Sequence, residues 1–393
     1  MLKTLTIEEL KLGHYVTQVI EQRGDISIKS KGKVKSEQFL QELINKGVKR
    51  LEVDLSKSEL VTDDIEISSE EIITDSKSVE PDGYSLEAAN DLYHQAIKLQ
   101  SEFIDDLQKG AVNDLSSVKT MSAQLVENLL DNPNALSCLT LLRGEDDYLL
   151  EHSLNCCILM AMFAEHLGYD TETIEALSLG ALLMDVGMAN VPNELRLAQE
   201  PLSEADWAVI KAHVEDGIEM IEQAEDLDTL TKTVIEQHHE RTDGSGYPNA
   251  LVDSDISVYG KMAAIVDTYD AMVSQRSHQK AVTPAIALKR LARAPGLDDD
   301  LVMQFIARIG IYPVGSVVKL KSGKLAIVAK SHPVDMLNPV VMTFYSVTGS
   351  HYNDVQRIDL SKIEDEIDAS VQPADFSLNL TKFFKDVFIP KTK

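Results

Sequence analysis

Three cysteines in 393 residues are too few for a disulfide framework. Cys156 and Cys157 lie inside an apolar run and read as small core residues in a reducing compartment. Cations are scarce as well: 37 Lys and Arg against 64 Asp and Glu leave a net charge of −27. Binding a phosphate backbone needs clustered Lys and Arg, so a nucleic-acid polymer is excluded as a partner, and an anionic membrane surface is disfavoured for the same reason. No apolar run reaches the roughly 18 residues of a membrane span. The start, MLKTLTIEEL, lacks the unbroken apolar core of a signal peptide. These absences set the expectation of a cytoplasmic protein with no membrane contact. What is present is ordinary globular material, 44% hydrophobic and 26% charged, with length for roughly two or three domains. A small anionic ligand fits such a chain only where a metal or a few local cations overcome the general field.

Residues 1–56 read as a small α/β unit for regulation or partner binding. Stretches 15–20 and 26–28 are strand-like, and 36–45 carries Phe39, Leu40, Leu43 and Ile44 at helical spacing. Leu51, Val53 and Leu55 then alternate with polar residues like a half-buried strand. Residues 57–83 crowd Asp and Glu and close on Pro81 and Gly83, the composition of an extended acidic linker. Residues 84–134 form connecting helices. Within them Leu86, Ala89, Tyr93, Ala96, Phe103 and Leu107 step by threes and fours, with a polar gap at Gln100. Intrachain core is the plainer partner for that seam, and the same helix of a second copy, in a homodimer, is the alternative. Further helices are predicted over 115–131, 147–167, 171–183, 204–225, 227–239, 258–274 and 283–291. Beyond Pro313, a hairpin at 317–328 and a strand at 340–345 make residues 316–393 a β-rich C-terminal extension with an acidic tail. The fold class is mainly α.

Chemistry concentrates where His238 and His239 run into Asp243-Gly244-Ser245-Gly246-Tyr247-Pro248. Neighbouring residues on a helix point about 100° apart, so the two imidazoles cannot share one apolar stripe, although they can grip one ion from two sides. Histidine is the commonest side-chain metal ligand near neutral pH, and it binds only when neutral. The plain alternative is a helix end with two solvated histidines and a turn. His152, Asp185, His213 and Asp267 are the other hard-ligand candidates, each on or near the end of a different predicted helix. Helices packed in a bundle can aim such side chains at one centre. Nitrogen and oxygen donors of this mix suit iron, manganese or zinc.

Order and local context make the resemblance specific. The chain resembles the HD-GYP family, a branch of the HD superfamily of metal-dependent phosphohydrolases, over roughly residues 135–315. The matching text is His152-Ser153-Leu154-Asn155, Ala181-Leu182-Leu183-Met184-Asp185-Val186-Gly187, Asn190-Val191-Pro192, Lys211-Ala212-His213 and His238-His239-Glu240. It continues through the glycine turn and Val266-Asp267-Thr268-Tyr269-Asp270-Ala271-Met272. The first unit looks, more loosely, like the small domain that often precedes such regions. The resemblance implies a helical domain that hydrolyses the bacterial messenger cyclic di-GMP or a related cyclic dinucleotide, using one or two ions of iron or manganese. It carries His152, Asp185, His213, His238, His239 and Asp267 onto metal-ligand positions, with Asp185 the catalytic residue bridging the ions. Arg276 and Lys280 fall near positions that meet substrate phosphates, and Gly246 and Tyr247 belong to the turn beside the ligand. Signalling proteins are the implied further partners.

This chain departs from the family pattern in one region. The His-Asp pair is Met184-Asp185, the following lysine is Met188, and a glutamate four residues before the first histidine is Tyr148, with Asp147 beside it. A thioether is a poor donor to a hard divalent ion. The ion held by His152, Asp185 and Asp267 therefore loses a ligand, whereas the one held by Asp185, His213, His238 and His239 keeps its set. Two expectations follow: slow cyclic-dinucleotide hydrolysis with an impaired first metal site, or an inactive domain that senses nucleotide or docks proteins.

Overall fold

The structure, a computed structural model, describes residues 2–7, 10, 14–22, 32–33, 48–54, 83–112, 114–141, 148–198, 200–222, 227–275, 280–332, 335–376 and 378. Its contacts divide into two units, Met1–Ser76 and Lys77–Lys393. In the first, β1 (Leu2–Thr6), β2 (Tyr15–Gln22), β3 (Gly32–Lys33) and β4 (Val48–Asp54) form an antiparallel sheet in the order β1-β4-β2-β3. The alternation at Leu51 and Val53 buries both beside Leu5 and Val16. The predicted strand at 26–28, the helix at 36–45 and nearly all of the acidic stretch lie outside the described residues.

The second unit opens with α1 (Gly83–Gln108), α2 (Ser116–Asp131) and α3 (Pro133–Leu139). The α1 seam is intrachain core: Ala89, Tyr93, Ala96, Phe103 and Leu107 are buried in the main cluster. Gln100, the polar gap, is buried too and donates from Nε2 to the Leu182 carbonyl at 3.5 Å. The central helix is α4 (Tyr148–His166), in which every residue from His152 to Ala164 is buried. A helix apolar all round belongs inside a bundle, and α5 (Thr171–Leu183), capped by Asp170 accepting from the Thr173 N–H, packs against it.

A 3-10 turn (Val186–Asn190) leads to α6 (Asn193–Arg196), α7 (Glu204–Lys211) and α8 (His213–Glu222). The single helix expected over 204–225 is therefore two, breaking at Ala212, where His213 Nδ1 donates to the Ile210 carbonyl. Next come α9 (Thr229–Gln237), α10 (Val258–Val273), α11 (Pro284–Leu291) and α12 (Asp299–Ile309). The last of these is additional to the predicted helices, although Asp298 caps it and Val302, Phe305 and Ile309 form its buried stripe. Among the described residues no helix is long and apolar enough to cross a membrane.

The C-terminal sheet comprises β5 (Val317–Leu320), β6 (Lys324–Lys330), β7 (Val340–Ser346), β8 (His351–Asp359) and β9 (Ile367–Ser370), in the order β8-β7-β6-β5-β9. Its first three strands are the predicted ones; β8 and β9 are additional, and with no fully buried residue in either they give little hydrophobic signal. Alternation splits β6 between two cores: Leu325 and Ile327 join the helical cluster, Ala326 and Val328 a cluster on the other face.

Candidate metal centre

Five helical elements deliver the side chains. His152 lies in the first turns of α4, and Asp185 follows the end of α5. His213 opens α8, His238 and His239 leave α9, and Asp267 projects from α10. Two glycines let these elements close up. A Cβ on Gly187 would overlap the His213 carbonyl and the Gly217 amide, so the 3-10 turn touches α8 backbone to backbone. A Cβ on Gly246 would overlap the backbone of Glu240 and Arg241.

The six predicted ligand residues converge. Asp185 faces both ways: Oδ2 lies 3.3 Å from His152 Nε2, and Oδ1 lies 3.2 Å from His213 Nε2 and 3.9 Å from His238 Nε2. Asp267 does the same, with Oδ1 3.2 Å from His152 Nε2 and Oδ2 3.5 Å from His239 Nδ1. One donor atom from each of Asp185, His213, His238 and His239 falls within 4.8 Å of the others. Gly246 and Tyr247 stand alongside, the Tyr247 ring centred 4.5 Å from that of His239. Lys280 is exposed, and Arg276 lies outside the described residues. Met184 is fully buried in the main core.

The hydrogen bonds fix which nitrogens are available. His213 and His238 each donate Nδ1–H to a backbone carbonyl, of Ile210 at 2.7 Å and Ile235 at 2.8 Å. Both Nε2 atoms in their neutral forms then carry lone pairs, and these face each other at 3.3 Å. Two lone pairs at that distance repel unless a proton or a cation lies between them. His152 repeats the pattern, donating Nδ1–H to Asp270 at 2.7 Å and turning Nε2 toward the carboxylates. Outward Nδ1–H donation is how metal-bound imidazoles are held, so the donor set fits divalent cations.

Electrostatics agree with that fit. Burial alone would raise the Asp185 carboxyl, but hydrogen bonds from His152 and His213 hold it well below the carboxylate range. Asp267 is likewise lowered, burial again outweighed by His152 and His239. For His213, burial works against protonation, yet Asp185 lifts it above the usual imidazole value. Burial keeps His238 down at about 4. Burial and neighbouring His238 hold His239 low as well. The cluster thus contains ionised carboxylates and ready neutral imidazoles together.

Three further residues of the matching motifs gain a role from the geometry. Asp270, fully buried, orients His152 and also accepts from Ser274 Oγ at 3.0 Å. Its place one turn after Asp267 is the signal the sequence offers. Glu240 accepts from the Asn249 and Leu251 N–H groups at 2.7 and 2.9 Å, pinning the glycine turn from beneath. Lys211 places Nζ 5.0 Å above the Tyr247 ring, which brings a cation to the cluster's edge.

Comparison with known proteins identifies relatives of the chain. Residues 126–301 match the HD domain family, and residues 2–118 match a domain of unknown function. A cyclic di-GMP phosphodiesterase of Pseudomonas aeruginosa is 28% identical over 371 residues, covering 92% of this chain and 90% of that protein. A cyclic di-GMP phosphodiesterase response regulator of Xanthomonas campestris pv. campestris is 33% identical over 131 residues, 33% of this chain and 35% of its own length. A 3'3'-cGAMP-specific phosphodiesterase of Vibrio cholerae is 29% identical over 169 residues, 43% of this chain and 31% of its own. Among solved structures, an HDG"Y"P protein from Bdellovibrio bacteriovorus aligns at TM-score 0.48 and 17% identity, covering 78% of this chain and 98% of that one.

Proposed function

Residues 126–301 match the HD domain family, and from that premise we propose that the chain is a metal-dependent phosphodiesterase of HD-GYP type for cyclic di-GMP or a related cyclic dinucleotide, with one full and one impaired metal site. The observation that carries this reading is the pair of imidazole Nε2 atoms 3.3 Å apart beside Asp185 Oδ1, each fixed by a backbone carbonyl behind it. His213, His238, His239 and Asp185 would hold the firm ion, and His152, Asp185 and Asp267 the weaker one. Bound divalent ions of this kind, iron or manganese by donor type, clamp attacking and leaving oxygens of a phosphodiester and acidify water.

The chain's own residues supply the rest. Asp185, ionised and offering one oxygen toward His152 and the other toward His213, would serve both ions. Asp270 keeps His152 in the tautomer whose Nε2 faces inward. Glu240 and Gly246 set the turn that brings Tyr247 beside His239, where a planar base can stack. Lys211 at that edge offers the positive charge that Met188 does not.

Met184 supports the impairment: it stands where the family places an imidazole, and its thioether is a soft, weak donor. The test is metal content by mass spectrometry and cyclic di-GMP turnover, for wild type beside Met184→His. The reading expects one firmly bound ion and slow turnover in wild type, with a second ion and faster turnover in the variant. Metal-free wild type that stays inert in Met184→His would leave a nucleotide sensor or protein-docking module as the better account.

A further inference from the structure

About two turns along α4 from His152, the helical bundle and the C-terminal sheet enclose a second concavity. The cleft measures about 550 Å³ and lies between the ends of α3, α4 and α12 and the strand β6. That volume is in the range of pockets that hold small organic ligands. Its floor is apolar, built by Leu159 and Met162 of α4, Tyr269 of α10 and Val314 before β5. Tyr269 follows Asp267 by two residues, about 200° around the helix, so it faces away from the metal-ligand carboxylate.

The rim is cationic in a chain that is strongly acidic. Arg308 and Lys330 line it, with the imidazoles of His166 and His332 nearby. Glu165 is the one carboxylate in the lining, and Arg308 Nε already engages it at 3.3 Å while donating to the Met162 carbonyl at 3.1 Å. That second bond fixes the guanidinium at the cleft wall. Among the described residues no carboxylate pairs with Lys330, a half-buried residue of the lining. An ammonium with no carboxylate partner is available to an anion that enters the cleft, and hydrogen bonds between ionised groups are the stronger ones.

We propose that this cleft is a second ligand site, for a small organic anion joining a phosphate or carboxylate head to a flat apolar body, the chemical class of a nucleoside monophosphate. The head meets Lys330 and Arg308, and the ring system lies on Leu159, Met162 and Tyr269. The C-terminal sheet, which brings Lys330, is thereby part of a binding site and not an appendage. The proposal does not depend on phosphodiesterase activity.

The test uses the full chain and two probes, GMP and anilinonaphthalene sulfonate, with inorganic phosphate as the head-only comparison. Calorimetry and probe fluorescence are recorded with and without EDTA, so that the metal cluster cannot account for the signal. The expected result is one GMP per chain, insensitive to EDTA and tighter than phosphate. Lys330→Glu should weaken it by about tenfold or more, the scale of one charge-assisted hydrogen bond, and Lys330→Arg should restore it. Ser331→Trp, which fills the cleft without altering charge, should displace both probes and serves if Lys330→Glu fails to fold. Absence of probe binding at millimolar concentration, binding abolished by EDTA, or wild-type affinity in folded Lys330→Glu or Ser331→Trp would overturn the proposal.

Discussion

His152 and His213 lie against ionised carboxylates, whereas His238 and His239 are kept neutral mainly by burial. That division has a pH consequence. In His213 the carboxylate field outweighs burial and raises the pKa above the usual imidazole value, so the metal-free site keeps its proton to higher pH than a free imidazole does. A metal ion needs the neutral ring and must displace that proton. Apparent metal affinity is therefore expected to rise with pH through the raised His213 value and to level off above it. Calorimetry in buffers of different ionisation heat reads the released protons directly. No proton release at pH 6.5 would contradict this electrostatic assignment. Asp270 gives a second residue-scale prediction. Asp270→Asn keeps its shape but weakens the acceptor behind His152, and loss of such a partner commonly costs about 10–100-fold in metal affinity. The effect should fall on the ion near His152 and spare the one at His213 and His238, as competition with a chelator would resolve.

Among the elements, the 3-10 turn and α8 come together tightly where a Cβ on Gly187 would overlap the His213 carbonyl. Gly187→Ala forces α8 outward and carries His213 away from Asp185. Overpacking of this kind costs about 1–3 kcal/mol, so a lower melting temperature should accompany reduced metal content. An unchanged metal complement would mean the turn can yield without moving His213. The same junction marks what a sequence can and cannot disclose. Each ligand side chain sits in short recognisable text, and Asp185, His213, His238 and His239 stand at helix ends, so their convergence could be anticipated. The break at Ala212 could not, because it accompanies a ring-to-carbonyl bond that only the folded geometry reveals. Asp270 pairs with a histidine 118 residues earlier, a contact no local pattern encodes. By contrast α12 was readable: the Asp298 cap and the Val302, Phe305, Ile309 stripe are both present in the letters. The C-terminal sheet divides in the same way. β5, β6 and β7 declare themselves through apolar runs, while β8 at the edge has mostly exposed residues and little hydrophobic signal.

For the whole molecule, charge outweighs every other long-range influence on how a ligand arrives. A net charge of −27 surrounds a site proposed to receive an anionic dinucleotide. Unlike charges steer a ligand in and make association slow down as salt is added. Here the general field would repel such a ligand, and attraction comes from groups close to the site: Lys211 above Tyr247 and the divalent ions that the proposed centre would hold. Screening acts on these two contributions unequally. The Debye length is about 30 Å at 0.01 M salt and about 10 Å at 0.1 M, so added salt removes the long-range repulsion first and leaves contacts within a few ångströms largely intact. The association rate for cyclic di-GMP, measured by stopped flow, should therefore increase between those salt concentrations. Neutralising the nearest cation with Lys211→Met should lower the rate at both concentrations while preserving the upward trend. A rate that falls with added salt would mean that positive groups around the entrance, and not the acidic envelope, govern how the nucleotide arrives.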